Sequence, residues 1–340
     1  DPNVKPMSTE MTNVGFEYEL KPGTVLALHY VHNSLVRTIE DFGALDENGD
    51  EVYRYGNPGE GMYEYGPVSG ATCDKEINGV CTYRMPKPKR VYDAFEASIT
   101  RRFRGGWLAN ASYVVSRLWG NYAGLQSTDE VLPFDTAYSS NQSFFGSTAR
   151  PGSNANRYYD LDEASYDANG KYIEGRLPTD RPHVFKFYGA KLFSFGTEIG
   201  GFFRVSSGTP VTTQVTSVNH IPIYVNGRGD MGRTPVFSQT DLVVAHEVKM
   251  GESKRLRFQF EMFNLFNQKT AQYIGDRYNR EDRYSSSGID LSGVDLSKGY
   301  DWRALLAEVP DGAFALDPRF GKETLFNRGF NGRFMVKFTF

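Results

Sequence analysis

Hydrophobic and polar residues alternate along much of this chain, and the last ten residues show the pattern most clearly. From Arg333 to Phe340, the side chains of Phe334, Val336 and Phe338 fall on one side and charged or polar side chains on the other. Such alternation predicts a β-strand with two chemically different faces. In water an aromatic edge strand of this kind would promote aggregation. In a barrel within a bilayer, its apolar face meets acyl chains instead.

Eight similar segments precede the terminal strand, which makes nine predicted strands in all. The clearest is 254–266, where Leu256 and Phe258 alternate with Arg255 and Arg257. The predicted strands are 12–20, 24–37, 91–104, 107–119, 183–194, 197–208, 240–250, 254–266 and 331–340. Their lengths of about nine to fourteen residues suit a tilted crossing of the hydrocarbon layer.

The connections between these strands fall into two classes that alternate along the chain. Short turns lie at 21–23, 105–106, 195–196 and 251–253. Long polar connections, rich in Gly, Asn and Asp, lie at 38–90, 120–182, 209–239 and 267–330. A soluble sandwich has no reason to place every long loop at one end, whereas outer-membrane barrels have short periplasmic turns and long extracellular loops. We therefore predict an all-β fold, a transmembrane antiparallel up-and-down β-barrel.

The predicted number of strands is odd, whereas bacterial single-chain barrels have an even number with both termini in the periplasm. If the last strand ends at the periplasm, the strand 12–20 also runs towards it. We therefore expect residues 1–340 to be the C-terminal part of one barrel domain. The first strand of this chain would then pair with a strand outside this sequence.

Composition changes this interpretation little. The chain has 340 residues and a mean hydropathy of -0.49, and no stretch approaches about 20 consecutive apolar residues, so no transmembrane helix is predicted. The low hydropathy carries little weight, because half of each barrel strand is polar. The net charge of -3 gives no case for nucleic-acid binding.

The two cysteines, Cys73 and Cys81, flank the turn-forming pair Asn78-Gly79. This turn would bring the two ends of the segment together, so we expect a disulfide and an oxidising compartment. The alternative is two unrelated free thiols.

The sequence gives no positive evidence for a catalytic or metal-binding site. The GxGxxG match at 227–232 is followed by Pro235 rather than by a helical pattern, so it lacks the context of a dinucleotide site. The acidic segments 46–50, 160–163 and 167–170 could bind calcium in the loops. Tight turns explain these segments more simply. We expect no enzyme activity and no cofactor.

Charged residues of both signs occupy the polar side of the predicted strands. They form either a hydrated wall of paired charges or a surface that contacts a plug or lines a permeation path. Glu17 and Glu19 lie on this side as well. The lumen-facing and plug-contact candidates are Glu96, Arg102, Lys186, Glu198, Arg204, Glu247, Lys249, Arg255, Arg257, Glu261, Arg333 and Lys337.

Aromatic residues in the long connections suggest a ligand-facing vestibule, because a tyrosine ring can stack on a sugar or peptide while its hydroxyl group forms a hydrogen bond. The alternative is that these rings pack the loops against one another. Asp301 is expected to cap a short helix in the last connection. The vestibule candidates are Tyr53, Tyr55, Tyr63, Tyr65, Tyr158, Tyr159 and Trp302.

The segment FQFEMFNLFNQKT at 258–270 resembles the F-N-L-F-N segment near the C-terminus of TonB-dependent outer-membrane receptors. Several other segments resemble the Oar-like branch of that family, and together they cover nearly the whole chain. They include KPMSTEMTNVGFEYEL, RRFRGGWLANASYVVSRLWGNYAGL, LPTDRPHVFKFYGAKLF, FRVSSGTPVT and GRGDMGRTPVFSQTDLVVAHEV.

This resemblance implies a 22-stranded barrel in the bacterial outer membrane, of which this chain supplies the last nine strands. It implies an N-terminal plug, absent from this sequence, and active uptake of a bulky ligand with energy relayed by TonB. The implied partners are outer-membrane lipid, the plug and remaining barrel strands, the TonB complex and a ligand that the sequence does not identify. A passive porin is the main alternative, and a soluble β-rich carbohydrate-binding protein is a weaker one.

Overall fold

The computed structural model describes residues 3–45, 51–60, 63–65, 75–77, 80–84, 86–124, 165–218, 222–279, 288–291, 293–309 and 316–340. For residues 41–45, 51–54, 63–65, 75–77 and 80–84 it describes the backbone alone. None of the helices among these residues is long and apolar enough to cross a membrane.

Nine long strands form one antiparallel sheet in which each strand pairs with its neighbours in chain order. They are β1 (Ser8–Lys21), β2 (Thr24–Arg37), β3 (Arg90–Arg104), β4 (Trp107–Gly120), β5 (His183–Leu192), β6 (Thr197–Ser206), β7 (Phe237–Met250), β8 (Lys254–Phe263) and β9 (Asn331–Thr339). A short segment, Gly175–Arg176, pairs with the end of β4. This up-and-down topology confirms the predicted all-β antiparallel fold class, and β1 and β9 form the two edges of the sheet.

The observed bounds depart from the predicted ones at β1, which begins at Ser8 rather than at 12, and in the F-N-L-F-N segment, where β8 ends at Phe263 rather than at 266. Asn264 follows in a left-handed conformation with φ of 50°, which asparagine tolerates better than most residues. Its backbone N–H donates to Asp241 at 2.8 Å, and its side-chain amide donates to the carbonyl oxygens of Gln268 and Arg328. The motif therefore ends the strand and ties the turn to β7 and to the approach to β9.

The long connections contain secondary structure that the alternation pattern did not reveal. Short antiparallel pairs form between Glu40–Leu45 and Glu51–Gly56, between Val215–Thr216 and Pro222–Ile223, and between Ala271–Ile274 and Glu323–Phe326. The predicted helix is present at Trp302–Ala307, and the Asp301 carboxylate accepts hydrogen bonds from the backbone N–H groups of Arg303 and Ala304. These elements give the connections a defined structure of their own.

The main hydrophobic core among the described residues lies in the connections rather than on the sheet. Its fully buried members come from the third and fourth connections, and Tyr166 and Ala168 of the second pack against them. The core residues are Val215, Ile223, Val225, Ile289, Leu291, Leu296, Trp302 and Leu306. Backbone hydrogen bonds join the same segments, including Ala168 to Val225 at 3.0 Å and Tyr300 to Ala168 at 2.9 Å. Three of the four connections therefore fold together as one unit.

The predicted disulfide falls on residues that the structure describes only in part. Cys73 lies outside the described residues, and only the backbone of Cys81 is described. Around the predicted turn, Lys75–Ile77 pairs with Val80–Arg84, and this register sets Glu76 opposite Cys81. The pairing of the cysteines stays a prediction.

Candidate functional site

One face of the sheet is polar across all nine strands. Lys186 on β5 lies opposite Arg204 on β6, and Glu247 on β7 lies opposite Arg257 on β8, which in turn lies opposite Lys337 on β9. Directly opposite residues share a face, so the register places eleven of the twelve predicted lumen-facing residues on this polar face. They are Glu96, Lys186, Glu198, Arg204, Glu247, Lys249, Arg255, Arg257, Glu261, Arg333 and Lys337. The twelfth, Arg102, falls in the irregular end of β3 between Arg101 and Arg104, where the register gives it no partner.

The opposite face is apolar and exposed. Phe260 lies between Val244 and Phe334 in the ladder, and Phe16 and Phe334 are 56% and 64% exposed. Aromatic rings stack along this face, for example those of Phe258 and Phe334 with centroids 6.5 Å apart. A contiguous exposed apolar face of this size marks a surface that meets another apolar phase.

The charges on the polar face of β6 to β9 are largely paired. Three arginine–glutamate pairs link the strands on this face. Two join neighbouring strands, and the third, Arg257–Glu198, reaches across β7 from β8 to β6. The three pairs are Arg257–Glu198 at 2.9 Å, Arg255–Glu247 at 2.8 Å and Arg333–Glu261 at 2.7 Å. Gln259 links this network, since it accepts from Arg257 at 3.1 Å and donates to Glu261 at 2.6 Å. This part of the face corresponds to the predicted wall of paired charges.

A groove of about 550 Å³ opens on the polar face of β2 to β5, beside the long connections. Its charged lining residues include Arg90, Glu96, Arg181 and Lys186. Within the described part of the chain, Glu96 and Lys186 form no ion pair. The groove therefore carries charges that the fold itself leaves unpaired, unlike the ladder on β6 to β9.

Arginine side chains make the rim of this groove electropositive. Burial, together with the nearby guanidinium groups of Arg204 and Arg233, lowers the pKa of Arg181. The Arg181 guanidinium donates to the carbonyl oxygen of Ser207 at 2.7 Å, while Arg204 lies 5.6 Å from the ring centre of Phe237. Like charges held this close favour an anion between them, because an anion relieves their repulsion.

A buried carboxylate fixes this rim. The Asp180 side chain is fully buried, accepts from Arg233 at 2.5 Å and from Arg176 at 3.4 Å, and caps the backbone N–H of Leu118 at 2.7 Å. Arg233 also donates to the carbonyl oxygen of Gly208 at 2.9 Å. A buried charge needs such partners to offset its desolvation. Asp180 and Arg233 thus lock the second and third connections to the end of β4 and hold Arg181 in place.

Alternation alone did not identify Arg181, Asp180 or Arg233 as site residues, since they lie outside the strands. The sequence feature that could have identified them is their position in two segments that carry the family resemblance, LPTDRPHVFKFYGAKLF and GRGDMGRTPVFSQTDLVVAHEV.

The prediction that Trp302 lines a ligand-facing vestibule is wrong. Its side chain is only 4% exposed, belongs to the core of the connections and packs edge-on against Tyr278 with ring centroids 5.1 Å apart. A ring buried in this way cannot stack on a ligand, so Trp302 packs the loops against one another. Tyr55 is 64% exposed, as a vestibule residue should be. The side chains of Tyr53, Tyr63 and Tyr65 and the whole of Tyr158 and Tyr159 lie outside the described residues.

The acidic segment at 167–170 forms a turn. The Asp167 carboxylate accepts hydrogen bonds from the backbone N–H groups of Asn169 and Lys171 at 2.9 and 3.0 Å. Among the residues with described side chains, no three acidic, histidine or cysteine side chains group as a metal site would require. The segments 46–50 and 160–163 lie outside the described residues.

Comparison with known proteins gives one informative match. No family model matches the chain. The chain is 30% identical over 288 residues to the TonB-dependent transporter Oar of Myxococcus xanthus, an alignment that covers 83% of this chain and 23% of the relative. The chain thus spans about a quarter of the length of that curated relative. This similarity confirms the resemblance found in the sequence motifs.

Proposed function

We propose that this chain is the C-terminal part of the barrel of a TonB-dependent outer-membrane transporter, which takes up a bulky ligand through a lumen closed by a plug. The observation that carries the proposal is the division of one nine-stranded meander into a charged face and an exposed aromatic face. A soluble antiparallel sheet covers its apolar face with other parts of the protein, whereas a barrel wall between lipid and an aqueous lumen leaves that face uncovered. The similarity to a TonB-dependent transporter supports the outer-membrane location.

The two ends of the sheet support the proposed orientation. Turns such as 22–23 and 251–253 join the strands at one end, whereas every connection at the other end is long and contains secondary structure in its described part. Outer-membrane barrels place short turns in the periplasm and long loops outside. The folded unit built on Trp302 and its neighbours would therefore face the extracellular medium.

The unpaired charges of the groove support a role in contact with the plug or the ligand. Lys186 and Arg181 line the groove, and Arg204 sits opposite Lys186 on the neighbouring strand of the proposed lumen wall. The ladder on β6 to β9 already pairs Arg255, Arg257 and Arg333 with glutamates, so these charges have less need of an external partner. We infer that the groove, rather than the ladder, binds acidic groups of the plug or of an anionic ligand.

Conductance of the full-length protein in planar bilayers tests the plugged lumen without knowledge of the ligand. A plugged transporter should give almost no open channel, whereas a passive porin should give a steady conductance. If Lys186 and Arg204 hold the plug, the double variant K186Q/R204Q should show a leak. The matched variant K298Q/K322Q, with both changes in the last connection, should stay closed. A steady conductance of the unaltered protein would overturn the transporter proposal in favour of a porin.

Labelling of intact cells tests the orientation. A cysteine in place of Ser297, in the last connection, should react with a membrane-impermeant maleimide. One in place of Glu252, in a short turn, should react only after the outer membrane is opened. Reaction of Glu252→Cys in intact cells would contradict the orientation.

A further inference from the structure

Three cations surround the indole ring of Trp107 on the apolar face, at the end of the sheet with the short turns. Arg104 on β3 and Lys191 on β5 each lie opposite Trp107 in the ladder. The guanidinium carbon of Arg101 lies 4.0 Å from the centre of the indole ring, within the range of a cation–π contact. One aromatic ring therefore gathers three positive charges on a surface that is otherwise apolar.

None of these cations pairs with a carboxylate among the described residues. Arg101 donates to the carbonyl oxygen of Arg104, Arg104 donates to that of Pro22, and Lys191 donates to that of Gly105, each at 3.2 Å. Carbonyl oxygens orient the cationic groups but do not neutralise them. The cluster therefore keeps its positive charge.

The acidic residues at this end of the sheet lie on the other face. Glu198 and Glu247 are on the polar face, where they pair with Arg257 and Arg255. Arg255 and Arg257 on the polar face are thus paired by the chain itself, whereas the three outward-facing cations have no carboxylate partner among the described residues. Charge of this sign on the outward face calls for an anion from outside the protein.

Exposed aromatic rings accompany the cations. Trp107 is 39% exposed and Phe195 is 66% exposed, and Phe195 stacks on Phe193 with ring centroids 5.3 Å apart. Trp107 begins β4, and Phe195 lies in the turn after β5, so both rings lie at one border of the apolar face. Aromatic rings concentrate at the level of lipid headgroups, where one part of the ring is wet and the other is in the apolar layer.

We propose that Arg101, Arg104, Trp107, Lys191 and Phe195, hereafter the basic–aromatic patch, bind the phosphate of an anionic phospholipid in the leaflet at the short-turn end. This proposal rests on the proposed function, because it requires the apolar face to meet lipid. Guanidinium groups form paired hydrogen bonds to phosphate oxygens. The exposed ring of Phe195 would extend towards the acyl chains. An anionic headgroup fits better than a zwitterionic one, since the patch offers no carboxylate to an ammonium group.

Lipid retention by the full-length protein tests the proposal. The protein in detergent is mixed with equal amounts of phosphatidylglycerol and phosphatidylethanolamine, and native mass spectrometry counts the lipids that stay bound. The unaltered protein should prefer phosphatidylglycerol. In R104Q/K191Q the preference should fall by about fivefold for each cation removed. The variant R104K/K191R retains both charges and should retain most of the preference, which separates loss of charge from loss of structure.

The control variant K249Q/K337Q removes two charges from the same end of the sheet but from the polar face, and it should keep the full preference. An equal loss in this control would show a non-specific charge effect and overturn the site. Equal retention of both lipids by the unaltered protein would also overturn it and would favour an acidic soluble partner. Insertion of the unaltered protein into vesicles is measured separately. Failure to insert contradicts the proposed function, whereas insertion without lipid preference contradicts only the patch.

Discussion

A single arginine on the apolar face tests the central assignment, that this face meets lipid. Phe260 lies six residues beyond Lys254, the first residue of β8, and stands opposite Val244 and Phe334. At about 3.4 Å per residue this is about 20 Å along the strand, and a tilt of about 45° reduces it to about 14 Å along the membrane normal. The apolar band of such barrels is about 25 Å tall. Phe260 therefore lies close to its midplane.

Arginine at the midplane costs about 2–4 kcal/mol on the lipid-facing side of a barrel strand. Phe260→Arg should therefore shift the folding equilibrium by about 30-fold to 1,000-fold. Gln259 is the matched control, because it is adjacent in sequence but lies on the polar face beside Glu261, to which it donates at 2.6 Å. An arginine at 259 keeps an acidic neighbour, so we expect the free energy of unfolding to change by no more than about 1 kcal/mol.

The assay compares urea unfolding of the full-length protein and both variants in lipid vesicles, with gel mobility before and after heating as a second measure of the folded fraction. Gln259→Arg should unfold close to the unaltered protein, and Phe260→Arg at clearly lower urea. Equal unfolding free energies for the two variants would refute the division of the sheet into lipid and lumen faces.

Three further predictions concern the connections. Trp302→Ala should lower the local unfolding free energy of the connections by about 3–5 kcal/mol. Backbone hydrogen exchange in 288–309 should become faster, while the gel mobility of the folded protein stays unchanged. Unchanged exchange would contradict the burial of Trp302 in a core. The hydrogen bond from Arg37 holds the pKa of Glu60 below its usual value, so this tie is present above the unfolded-state pKa and is lost as pH falls through the lower folded pKa. The rate of proteolysis within 38–60 should therefore rise at acid pH, and Glu60→Gln should remove this pH dependence. If the variant keeps the pH dependence, the Arg37–Glu60 pair is not its cause. Mass spectrometry without reductant should find Cys73 linked to Cys81, and two freely alkylated thiols would rule the bond out.

Strand alternation predicted the sheet well because a sheet with one apolar and one polar face imposes a strict period of two. A shift by one residue would move every side chain to the opposite face. The strand at 24–37 has the same bounds in the structure. The end of β8 differs because Asn264 satisfies its hydrogen bonds in a left-handed turn, and local turn chemistry of this kind does not appear in a hydrophobic pattern.

The candidate site was less accessible to sequence reasoning than the strands. The face of each charged residue followed from the alternation, but its partner did not, because pairing depends on the register between strands. Lys186 and Arg255 look alike in the pattern, yet Arg255 pairs with Glu247 and Lys186 lines a groove. Trp302 was misjudged for a related reason. Its helix cap at Asp301 is a local signal, whereas its burial depends on three connections that are distant in sequence.

The shared core of the connections changes how ligand recognition should be understood. Independent loops would lose entropy on binding as each one ordered. Here the second, third and fourth connections already form one unit, and the Asp180–Arg233 pair ties it to the end of the sheet beside the groove. A ligand that reaches the groove would therefore meet a surface largely ordered in advance. Recognition would then depend on the fixed positions of Arg181 and Lys186 more than on loop closure, and affinity should respond more to groove charge than to loop length.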